Sequence, residues 1–86
     1  MNPTPIQRAQ AALDEVVNLA DDAAHLKLYA DPDSQDELQR VRSRAHELLE
    51  VAQYAVADVE DADYSHYLTV RSLRNKVLTE VNTIFS

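Results

Sequence analysis

Two carboxylate–imidazole pairs stand three residues apart, Asp22-Ala-Ala-His25 and Asp63-Tyr-Ser-His66, and His46 precedes Glu50 by four positions. On a helix these spacings put both side chains on one face. Helical bundles can build di-metal centres from Glu-x-x-His pairs joined by further carboxylates. The neighbouring apolar residues argue against such a centre. His25 falls two residues past Ala23 and five past Ala20, on the outer side of an apolar stripe, and His46 follows Ala45 and flanks a second one. Three solvated or rim histidines are expected, with no metal site and no cofactor.

Other chemistries fail on residue types. The chain has no Cys, which removes thiolate catalysis, disulfides and thiolate metal sites and suits a reducing compartment. It also has no Gly, where about 7% is usual. Phosphate-cradling loops need Gly so that backbone amides can approach the anion, and the strained turn of serine hydrolases is Gly-flanked. We therefore expect no enzyme. The basic residues Arg40, Arg42 and Arg44, and then Arg71, Arg74 and Lys76, are spaced so that a helix scatters them over several faces. A nucleic-acid surface would want a continuous basic stripe, so no direct nucleic-acid binding is expected.

The acidic residues carry more information. The formal net charge is −7, and residues 31–62 hold nine acids against three Arg, whereas residues 63–86 hold two acids against three bases. Asp58, Glu60, Asp61 and Asp63 crowd together, with Tyr64 and Tyr67 beside them and Tyr54 about two turns earlier. Such a field repels nucleic acid and anionic membranes and attracts basic protein surfaces. Tyr is a favoured interface residue because it offers a large, amphipathic contact. Asp58, Glu60, Asp61, Asp63, Tyr64 and Tyr67 are therefore the candidate partner-binding residues.

These residues must be held by helices. Tight hairpins and left-handed turns rely on Gly, so a Gly-free chain interrupted by only Pro3, Pro5 and Pro32 points to long helices and simple connections. A first helix, over about 5–30, opens with Thr4, Pro5 and Gln7 as a capping box with Pro at the first position. Its stripe is Ile6, Ala9, Leu13, Val16, Ala20 and Ala23, widened by Val17 and Ala24. Asp31-Pro32 ends the pattern. A second helix over about 34–62 starts from a Ser34/Glu37 box and keeps a heptad through Leu38, Val41, Ala45, Leu48, Ala52, Ala55, Val59 and Ala62. Val70, Leu73, Val77, Val81 and Ile84 mark a third helix, over about 65–85, with a break in 61–65.

The expected fold is a single all-α domain, a small three-helix bundle. The alternative is a long two-helix antiparallel hairpin that oligomerises, with one bent helix from Gln35 to Phe85 spanning about 76 Å. Ala-rich seams on so short a chain favour a homodimer. No basic-then-apolar leader opens the sequence and no apolar run approaches a membrane span, so a cytoplasmic protein without membrane contact is expected.

Tyr64-x-x-Tyr67-x4-Ser72-x3-Lys76-Val77, followed by Val81 and Asn82, resembles the C-terminal helix of type III secretion needle subunits, which are helical hairpins with a Pro-containing turn. The resemblance covers residues 64–82 alone, and Pro32 lies farther from Tyr64 than that family's turn does. It implies a structural, self-assembling subunit. The charge and tyrosine pattern implies instead a small interaction protein: an inhibitor, adaptor or chaperone-like subunit engaging a basic surface. A phage-type inhibitor of a host nucleic-acid-binding complex is one form this takes, by analogy of size and charge.

Overall fold

The computed structural model describes residues 3–59 and 64–86. Three helices follow in order: α1 (Pro5–Leu26), α2 (Pro32–Ala57) and α3 (Tyr64–Phe85), with no strand among the described residues. Each helix packs against the other two. The three-helix bundle is therefore the architecture, and its extents are 51 × 24 × 15 Å. Cross-helix contacts set the directions. Arg8 near the start of α1 meets Asp58 just past the end of α2, and Lys27 just past the end of α1 meets Thr83 near the end of α3. α1 and α3 thus run the same way, and α2 returns between them.

Local chemistry explains most helix ends. The Thr4 amide donates to Gln7 Oε1 (2.9 Å) and the Gln7 amide donates to Thr4 Oγ1 (3.1 Å), closing the capping box. α2 starts earlier than its sequence signals suggest. Asp31, not Ser34, is the N-cap, accepting from the Ser34 amide (3.1 Å) and from Ser34 Oγ (2.9 Å). Pro32 occupies the first helical position, where its fixed φ suits the helix and its missing donor costs nothing. Those bonds from Ser34 hold the Asp31 carboxyl below its usual range. Glu37 is left to pair with Arg40 (2.9 Å) instead of closing a box.

α1 stops at Leu26, short of the expected end near 30. Leu28 N–H donates to the His25 carbonyl (3.1 Å) and Tyr29 N–H to that of Leu26 (3.2 Å), tightening the last turn. Lys27 Nζ reaches the Thr83 carbonyl (2.9 Å), and Gln35 Nε2 the Tyr29 carbonyl (3.1 Å). At the other end of the bundle α2 finishes at Ala57, with Asp58 as its C-cap. A single helix through to Phe85 is not formed, because Asp58 and Val59 have left the helix. Of the expected break in 61–65, residues 61–63, with Ala62 among them, lie outside the described residues, and Tyr64 and Ser65 already belong to α3.

The core is apolar throughout, and no polar side chain is buried among the described residues. Leu38, Val41, Ala45, Leu48, Ala52 and Ala55 of α2 are all buried, as are Val70, Leu73, Val77, Val81 and Ile84 of α3. On α1 the buried positions are Ala9, Ala12, Val16 and Ala23. The stripe widens through Ala12, Leu19 and Leu26 rather than through Val17 and Ala24, which are exposed. The Ala-rich seams that favour a homodimer are taken up here by packing within one chain.

Candidate protein-binding corner

The corner forms where α2 ends and α3 begins, with the start of α1 alongside. Asp58 is exposed, and its backbone N–H donates to the Tyr54 carbonyl (2.9 Å). A carboxylate at a helix C-terminus faces the negative end of the helix dipole, where cations are the stabilising charges. The last turn of α2 holds no basic residue to balance it. Compensation comes from α1: Arg8 Nη1 donates to Asp58 Oδ2 at 2.8 Å. Sequence proximity alone points to Arg71 and Arg74 as compensating charges. Arg74 instead turns to Asn75 Oδ1 (3.1 and 3.2 Å).

The aromatic part of the corner is well defined. Tyr64 opens α3 and is 69% exposed, and Tyr54 on α2 is 68% exposed. Positions three apart on a helix share a face. The Tyr64 and Tyr67 rings accordingly stack, with centroids 6.4 Å apart and planes 23° from parallel. Tyr67 is half-buried and Leu68 is exposed. Tyr64 therefore rests on a partly anchored neighbour while presenting its own face to solvent. Of the candidate residues, Asp58, Tyr64 and Tyr67 lie at this end of the bundle. Glu60, Asp61 and Asp63 lie outside the described residues.

Arg8 is the member that sequence reading missed. It stands fifty positions before Asp58, and only an antiparallel alignment of the α1 and α2 stripes brings the two together. A second cross-helix pair has the same origin. Arg44 grips both carboxylate oxygens of Glu15 through Nε and Nη2, and its Nη1 donates to Glu47 (2.9 Å). The guanidinium bonds hold the Glu15 carboxyl below its usual value and push the Arg44 pKa up. Arg42 lies over the Phe85 ring, 6.0 Å from its centroid.

The histidines are dispersed. His25 Nδ1 lies 2.9 Å from the Asp21 carbonyl, and His46 Nδ1 is 3.7 Å from Glu50 Oε1. All three histidines are exposed. Among the described residues no three His, Cys, Asp or Glu side chains gather as metal ligands, and no helix is long and apolar enough to cross a membrane. No protein-family model, curated protein or solved structure matches the chain.

Proposed function

We propose that this protein acts by binding another protein, as an inhibitor, adaptor or chaperone-like subunit that engages a basic surface. The observation that carries the reading is Asp58 at the negative end of α2, with no base in that helix's last turn and an exposed Tyr on either side. Asp58 accepts from Arg8 of α1, and the helix terminus beside it favours further positive charge. A cation supplied by a partner meets both the carboxylate and the helix terminus, and Tyr54 and Tyr64 offer apolar contact beside it. Asp58, Glu60, Asp61, Asp63, Tyr64 and Tyr67 form the binding site in this reading. A chain without cysteine suits action in the cytoplasm. A net charge of −7 opposes the close approach of identical copies, which weighs against assembly as the principal role.

The test is parallel affinity capture from host lysate with the parent and with a variant carrying Asp58→Lys, Glu60→Lys and Asp61→Lys. The reading expects a basic protein held by the parent at low salt, released at high salt and missed by the variant. Recovery of the same proteins by both, insensitive to salt, would overturn it.

A further inference from the structure

The outer side of α3 carries a heptad stripe that the bundle core does not use. Leu68, Arg71, Asn75, Leu78, Asn82 and Phe85 follow at alternating spacings of three and four, and all six are exposed. Leu68 is 44% exposed, Leu78 40% and Phe85 50%, so three large apolar groups stand at solvent along one helix face. Arg42 of α2 lies over the Phe85 ring. The α2 row bordering the stripe is therefore the one through Gln39, Arg42, His46 and Gln53. We infer that this α2/α3 face is a docking surface for an acidic amphipathic helix of a second protein. The inference goes beyond the proposed function: it concerns another face and a partner of opposite charge, and it makes the chain an adaptor between the two.

Charge selects the occupant, because the cations on this face have no carboxylate of their own. Among the described residues Arg42, Arg71 and Arg74 make no ion pair. Arg74 turns only to Asn75 Oδ1, and Arg42 Nε is buried without a hydrogen-bond partner. The other guanidinium groups are taken: Arg8 by Asp58, Arg40 by Glu37, and Arg44 by Glu15 and Glu47. The α3 stripe holds no carboxylate, and Glu50, which borders the α2 row, stands 3.7 Å from His46. Glu80 lies on the other flank of α3, in the row of Lys76 and Thr83 that Lys27 of α1 reaches. A protein of net charge −7 thus keeps one face positive. Carboxylates on an incoming helix meet unpaired guanidinium groups, which accept them in a bidentate grip, while its apolar side covers Leu68, Leu78 and Phe85. A second copy docking by the same face sets Arg against Arg. Nucleic acid leaves the apolar groups uncovered and is repelled by the overall charge.

The experiment uses three synthetic heptad helices: one with Leu in the seam and Glu beside it, one with Ala in place of Leu, and one with Lys in place of Glu. Each is titrated into the isotope-labelled full chain while amide resonances are followed. The Leu–Glu helix is expected to shift Leu68, Arg71, Leu78 and Phe85, and to bind about tenfold more tightly than the Ala–Glu helix. Added salt should weaken it. Arg71→Glu with Arg74→Glu, and separately Leu78→Ser, should each weaken it by about tenfold with the circular dichroism unchanged. Absence of α3 shifts with the Leu–Glu helix would overturn the inference. So would equally tight binding of the Leu–Lys helix to α3, since charge would then select nothing. Shifts along α3 on concentrating the chain alone would give the face to a second copy and overturn it too. The Leu–Lys helix also probes the corner through Tyr54 and Tyr64, so this inference and the proposed function fail separately.

Discussion

Arg8 Nη1 donates to Asp58 Oδ2 at 2.8 Å, joining the first turn of α1 to the residue that ends α2. The pair bridges fifty positions of sequence and offsets a carboxylate at the unfavourable end of a helix dipole. Both side chains keep substantial exposure, 30% and 53%, so solvent screens the attraction. A double-mutant cycle with Arg8→Gln and Asp58→Asn should return a coupling of about 0.2–1 kcal/mol at low salt that shrinks as salt is added. A coupling that ignores salt would mean that Arg8 acts through the packing of its alkyl stem.

The core prediction is larger. Leu48 is buried at the centre of the α2 seam. Leu48→Ala removes its packing and leaves a void between α1 and α2, so it should cost about 2–5 kcal/mol in a denaturant titration. An unchanged midpoint would contradict the packing described here.

Acid should weaken the fold partly through Glu15. Hydrogen bonds from Arg44 lower its carboxyl pKa in the folded protein, so the folded state releases this proton more readily than the unfolded state does. The stabilisation is therefore complete above the ordinary carboxylate value. It fades as pH falls below about 4.5, and is gone once pH has passed through the lower, folded value. Glu15→Gln should flatten stability against pH in that window, with little change in slope near neutrality. Parallel acid limbs for parent and variant would rule the contribution out.

The apolar stripes of α2 and α3 were legible because a Gly-free chain keeps a helical period and lets heptad positions be counted. Every seam residue from Leu38 to Ala55, and from Val70 to Ile84, is buried. The ends were less legible. α1 stops at Leu26, short of the Asp31-Pro32 pair that marks the stop in the sequence, and the backbone there tightens into bonds from the Leu28 and Tyr29 N–H groups. The start of α2 was misread because Asp31 and Ser34 are equally good caps, and Pro32 decides between them. In the candidate site, Asp58 and the Tyr64–Tyr67 pair stood out through charge density and spacing. Arg8 joins Asp58 only once α1 and α2 lie side by side.

In the proposed function, the corner recruits a basic partner by charge and holds it by an aromatic contact. The most direct measurement is binding kinetics with the captured partner, comparing the parent, the Asp58→Lys, Glu60→Lys, Asp61→Lys variant and Tyr64→Ala. Charge reversal should slow association while leaving the fold intact, as added salt should for the parent. Tyr64→Ala should leave association nearly unchanged and speed release, by an amount corresponding to about 1–2 kcal/mol. Parent-like rates for both variants would contradict the claim and move the interface away from this corner.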